Sequence, residues 1–162
     1  MNSDTPYQSP KENLKMIRVL FGALVAGVFL FLLMAIFINR VNGPLTTELR
    51  EFSKYLPGLA LSLSLICLFI AVLAYKKGVV EARNLTAPLN EKLNQYRSFL
   101  IKYLAFCEGP ALFCIVVFIM TGDARILTIA AVLLVAMLAI TPSKKRVVND
   151  LNLDWKEQQE LD

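Results

Sequence analysis

Residues 88–120, "PLNEKLNQYRSFLIKYLAFCEGPALFCIVVFIM", decide the fold. Thr86 stands near a cap position and Pro88 in a first turn, which together mark a helix start. Leu89, Leu93, Tyr96 and Leu100 follow at helical spacing and lead into the apolar stretch Tyr103 to Met120. That stretch is close to the roughly 20 residues a helix needs to cross about 30 Å of hydrocarbon. One unbroken helix over all 33 residues would be about 50 Å long, so about a third of it projects beyond the membrane.

The rest of the chain supports the same reading. Of 162 residues, 56% are hydrophobic and only 19% charged, well to the apolar side of a soluble domain. The apolar residues gather into four blocks, Val19 to Ile38, Leu56 to Tyr75, Tyr103 to Met120 and Ile126 to Thr141. The first is longer than the apolar region of a secretory signal, and the "FINRVNGPL" after it offers no small-x-small cleavage site, so it reads as a retained span. The expected fold is all-α: a polytopic membrane protein with four transmembrane helices in a bundle, over residues 16–142. Residues 1–15 read as a disordered cytoplasmic N-terminus, and 143–162 as a cytoplasmic amphipathic helix with an acidic tail.

Orientation follows from Lys and Arg, which resist translocation. The N-terminal segment carries three, the loop between the second and third blocks six, and the C-terminal tail four, making thirteen on one side. Arg40, Arg50, Lys54 and Arg125 make four on the other. Both termini are therefore expected in the cytoplasm. The net charge of +4 is then explained by topology, and nucleic-acid binding is not implied. Asn84, in a glycosylation-type "NLT", falls on the cytoplasmic side and carries no weight.

The connections have patterns of their own. Leu45, Leu49, Phe52 and Leu56 share one helical face, which predicts a short helix lying on the outer leaflet. In the tail, "PSKKRVVNDLNL" places Val147, Val148 and Leu151 on one face of a helix starting at Pro142. The "DWKEQQELD" beyond it reads as a frayed acidic end, with Trp155 resting on the projecting part of the third helix, on the lipid surface, or on a partner. Sliding the chain by 84 residues lays Arg18, Leu20 and Phe29 over Lys102, Leu104 and Phe113, a faint sign of a duplicated hairpin.

Most site chemistry is excluded by residue type. With no His, there is no His-ligated haem or zinc and no Ser-His nucleophile. Cys67, Cys107 and Cys114 all lie in spans and form no CxxC motif, so they read as small, reduced packing residues. No cofactor, metal or catalytic residue is expected.

What remains is "CEGPA". Glu108 is the only acid inside any of the four blocks. An ionised acid at mid-span costs up to about 3 kcal/mol, so the carboxyl must be protonated, paired or facing a wet interior. Arg18, at the cytoplasmic edge of the first span, is the expected partner. Pro110 removes an amide and crowds the carbonyl of Phe106, while Gly109, Ala111 and Ala105 thin the helix for a close neighbour. Gly22, Ala23, Ala26 and Gly27 of the first span are the small residues expected opposite. Glu108, Gly109, Pro110 and Arg18 thus form the candidate intramembrane polar site.

An intramembrane Glu in a short four-span chain invites comparison with rotary-ATPase proteolipids. Their helices are crowded with Gly and Ala, however, whereas this chain has seven Gly in all. Residues 89–122, "LNEKLNQYRSFLIKYLAFCEGPALF" leading to a Thr121–Gly122 turn, instead resemble a set of uncharacterised small four-span inner-membrane proteins typical of Bacteroidetes. The resemblance implies a bacterial inner membrane and no known activity. Two functions are then expected to compete. One is a non-catalytic structural or accessory membrane subunit, docking through its cytoplasmic helices. The other is a small transporter or channel component, with Glu108 coupling protons or ions and Ser62 or Ser64 lining the path. Partners are the lipid bilayer and either further copies of the chain (a homo-oligomer) or a larger membrane complex; an enzyme ranks last, since one carboxylate lacks a partnering acid, base or metal ligand.

Overall fold

A computed structural model describes residues 9–44 and 54–161, and the interfacial helix expected over residues 45–55 falls mostly outside them. Within the described residues the chain is all-helical: α1 (Pro10–Asn42), α2 (Leu56–Arg83), α3 (Leu89–Thr121), α4 (Ala124–Ala139), α5 (Lys144–Leu151) and α6 (Trp155–Gln159). The helices α1, α2 and α3 are each long and apolar enough to cross a membrane. The 16-residue α4 counts as a fourth only when taken together with α5, from which it is bent by 74°.

Helix ends follow local chemistry. Ser9 and Glu12 cap each other's backbone amides reciprocally, so α1 starts at Pro10 and residues 10–15 are helical, contrary to the disordered start expected for 1–15. The helix α3 starts at Leu89 with Pro88 in the cap position, and it runs without a break through Pro110 to Thr121. There Gly122 takes a left-handed conformation with φ 68° and its N–H donates to the Phe118 carbonyl. The side chain of Asp123 accepts from the Arg125 amide and starts α4 after a two-residue turn. Ser143 caps α5 in the same way through the Arg146 amide, so that helix begins at Lys144 rather than at Pro142.

Cross-contacts fix the relative directions. Asn13 reaches Asn94, Met16 meets Arg97, and Asn39 donates to the Phe118 carbonyl, so α1 and α3 run parallel with an offset near 80 residues. In α2, Ser64 meets Cys114 and Tyr75 meets Tyr96, so it runs antiparallel to α3. The Tyr103 hydroxyl donates to the Ala136 carbonyl and ties α4 back along the same part of α3. The helix α3 is the hub: α1, α2 and α4 all pack on it, whereas α1 and α2 scarcely meet. Its buried face carries Leu89, Leu93, Tyr96, Leu100 and Leu104. The end that holds the start of α1, the α2–α3 connection, α5 and α6 is called the base below.

The tail is folded onto that base. Val147, Leu151, Leu153 and Leu161 are buried, and Lys92 bonds Glu157 at 2.7 Å. Asn152, left-handed at φ 51°, turns the chain between α5 and α6. The fraying expected of "DWKEQQELD" is therefore not observed over its described residues. Trp155 is 73% exposed, whereas Leu153 and Leu161 are buried.

Candidate functional site

The four residues singled out in the sequence are not drawn together. Arg18 donates from Nε to the Pro142 carbonyl at 3.2 Å, bracing the turn between α4 and α5. The parallel register explains why it does not reach Glu108. With an offset near 80 residues, Arg18 lies level with residues 98–99 of α3, about ten residues or about 15 Å of helix rise below Glu108. The offset between parallel helices is set by contacts distant in sequence, so residue spacing alone does not predict it.

Glu108 is half-buried, and among the described residues no hydrogen bond or ion pair reaches its carboxylate. It follows Asn94 by fourteen residues and Arg97 by eleven, so helical periodicity puts it on the side of α3 that bonds to α1. Pro110 and Ala111 are buried, while Gly109 is exposed, with open space where a Cβ would stand. The small face of α1 is likewise turned outward: Gly22, Ala23, Ala26 and Gly27 are exposed or face nothing within van der Waals reach. The buried face of α1 is instead Leu14, Ile17, Phe21, Val28 and Ala35. Close helix approach occurs elsewhere, at Gly78 of α2, where a Cβ would run into the Phe99 ring.

The polar centre of the molecule is one that sequence reasoning missed. Asp150 of α5 accepts the Tyr75 hydroxyl at 2.8 Å and the Tyr96 hydroxyl at 3.2 Å on the same oxygen, Oδ2. The two hydroxyls lie 3.1 Å apart. Arg146 Nε approaches that oxygen at 3.5 Å, and its guanidinium also bonds the Ala139 carbonyl. Arg83, at the end of α2, donates to the Asp150 backbone carbonyl at 3.0 Å. Tyr103 stacks edge-on against Tyr75, with ring centroids 5.5 Å apart. One carboxylate thus ties α5 to α2 and α3, in a place where burial would make an unpaired acid costly.

A second tie lies further out, where the Lys92 ammonium beside Glu157 holds that carboxyl below its usual range. One signal for the latch was present in the sequence: Asp150 is the only acid in an otherwise basic and apolar α5. Tyr75 and Tyr96, however, read simply as a span end and a member of an apolar stripe.

This network binds and orients helices. Ser64 is buried against Cys114 at 3.5 Å, and Ser62 returns its hydroxyl to the Gly58 carbonyl. Among the described residues no three His, Cys, Asp or Glu side chains gather where a metal could be held. In comparisons with known proteins, no family model, no curated protein and no solved structure matches this chain.

Proposed function

We propose that the chain is a non-catalytic accessory subunit of a bacterial inner membrane, crossing it four times with both termini in the cytoplasm. The excess of Lys and Arg at the base and the resemblance of residues 89–122 support that location. In support of a fourth crossing, α4 runs back from the Gly122 turn to the level of Tyr103, alongside the part of α3 read as a span. The observation that carries the function is the folded cap. A tail held by Asp150, Tyr75, Tyr96, Arg83 and the Lys92–Glu157 pair is a built surface, and it presents Trp155 outward. Exposed Trp residues are over-represented where protein surfaces dock.

The test is purification of the full chain from its native membrane in mild detergent, with mass spectrometry of what remains bound. A stoichiometric complex that Trp155→Ala releases, with helix content unchanged, is the expected result. A bare monomer or homo-oligomer overturns the reading.

A second reading rests on Glu108, a half-buried carboxylate with no partner among the described residues, on the α1 side of α3. Here the chain is a small transporter or channel component coupling protons or cations through that acid. Cation or proton flux in proteoliposomes that Glu108→Gln abolishes supports it, and no flux with any cation tested removes it.

A further inference from the structure

Cations gather at one level of the bundle axis. Arg18 lies level with residues 98–99 of α3 and bonds the Pro142 carbonyl. Lys76 and Lys77 directly precede Gly78, which abuts Phe99, and Lys102 lies over the Phe99 ring. Lys145 and Arg146 sit on α5, just past the elbow between α4 and α5. These six cations form a collar at one level of the base. The acids of that level are already engaged: Glu81 is 3.9 Å from Lys77, and Asp150 accepts from both tyrosines. Glu12, Glu91, Asp154 and Glu157 lie beyond the collar, about a turn or more further from the apolar spans.

At the elbow the collar opens into a cleft of about 310 Å³ lined by Ala139, Thr141, Ser143, Lys145, Arg146, Asn149 and Asp150. The inventory of its polar groups is one-sided. The Thr141 hydroxyl is spent on the Leu138 carbonyl, and Asp150 is taken up by the latch. The Ser143 oxygen accepts the Arg146 amide but keeps its own proton to donate. Lys145 and Asn149 are exposed, with no hydrogen bond or ion pair to the described residues. An ammonium, a hydroxyl proton and an amide NH₂ therefore face the cleft beside a guanidinium, against a single carboxylate, Asp150, whose Oδ2 is held by the two tyrosines and Arg146. Such a donor set suits an acceptor-rich anion.

The cleft also adjoins Ala139, the last residue of α4, at the level where headgroups meet hydrocarbon. The geometry points to the phosphate of an anionic glycerophospholipid as its ligand, with the collar resting on the headgroups of the same leaflet. The site rests on the membrane-spanning, base-inside reading above and adds a defined lipid position to it.

The test uses the full chain, delipidated in detergent and titrated with phosphatidylglycerol, phosphatidylcholine or inorganic phosphate, with adducts counted by native mass spectrometry. Phosphatidylglycerol binds in preference to phosphatidylcholine, and Lys145→Gln weakens it by about five-fold, the equivalent of about one cation at an anionic surface. Lys156→Gln, an exposed cation on α6 outside both the cleft and the collar, leaves the tightest adduct unchanged. Equal binding of the two lipids overturns the site, as does an equal effect of the two variants. Inorganic phosphate binding with the same Lys145 dependence, without displacement by phosphatidylglycerol, overturns the lipid assignment in favour of a soluble anion. Protease access to the tail in sealed inverted vesicles reads orientation separately, so a failed lipid site and a failed topology give different results.

Discussion

The helices α1 and α3 are a natural controlled comparison: each has 33 residues, they run parallel, and both qualify as membrane spans. Yet in the most apolar window of each, 44% of α3 is buried and only 17% of α1. The difference is one of position rather than of apolar character. The chain enters α3 from α2 by a short connection and leaves it into α4 by a two-residue turn, so α3 has a neighbour at either end of the sequence as well as α1 beside it. The longer link between α1 and α2 lets α1 stand at the edge, in contact chiefly with α3.

The largest effect expected from this difference comes from paired truncations. Leu93→Ala, fully buried on α3, should cost about 2–5 kcal/mol. Leu30→Ala on α1, 63% exposed, should stay within about 0.5 kcal/mol. Reversible unfolding in detergent, followed by helix content, measures both, and similar costs at the two sites would mean that α1 is buried in a way a single chain does not display. The glycines sharpen the same contrast. Gly78→Ala pushes a methyl into the Phe99 ring and should cost about 1–3 kcal/mol. Gly27→Ala adds it to open space, where the better helix former should be neutral or stabilising by up to about 1 kcal/mol. A destabilising Gly27→Ala in native membranes that is absent in detergent would show that the small face of α1 is covered by another subunit.

How much of this was legible in the sequence depends on whether a property is local. Apolar runs and the Thr121–Gly122 turn are local, and each apolar block falls largely within a helix, although α1 begins well before its block and α2 continues to Arg83 beyond its own. The stripe Leu89, Leu93, Tyr96 and Leu100 is legible as buried because a projecting helix with one apolar face has to cover it. Which face of α1 turns inward was not legible, because small residues and large ones are equally acceptable to lipid. The Arg18–Glu108 pairing failed for a related reason: the offset between parallel helices is set by long-range contacts such as Asn13 with Asn94. Asp150 is a single acid on a basic helix in the sequence, and only the fold brings two tyrosines to it.

The latch is the next element to break. Asp150→Ala leaves the Tyr75 and Tyr96 hydroxyls and the Arg146 guanidinium without their shared acceptor, at an expected cost of about 1–3 kcal/mol. That cost should fall on the cap alone. Hydrogen exchange should speed up over residues 144–161 while α1 and the apolar half of α3 keep their protection. Loss of protection throughout α3 would instead make the cap a structural part of the hub.

The smallest effect separates the two ways in which α3 holds its neighbours at the base. Its tie to α1 is a neutral amide pair, Asn13 with Asn94 at 2.9 Å, whereas its tie to α6 is the ion pair of Lys92 with Glu157. The carboxyl of Glu157 is held below its ordinary value by the Lys92 ammonium, so the folded chain binds its proton less readily than the unfolded chain does. The pair therefore contributes fully at pH values above the unfolded carboxyl value of about 4.3. Its contribution is lost as pH falls through the lower, folded value. It should be about 1 kcal/mol, since the pair is partly screened by solvent. Trp155, the only Trp in the chain, opens α6 and reports on it. Its fluorescence anisotropy should be constant from neutral pH down to about 5 and fall below about 4, whereas hydrogen exchange at Asn13, corrected for its intrinsic pH dependence, should not change. Lys92→Met should lower the anisotropy at neutral pH and flatten its dependence on acid. An acid transition that persists in Lys92→Met would assign the loosening to another carboxylate of the cap, Asp150 being the first to test.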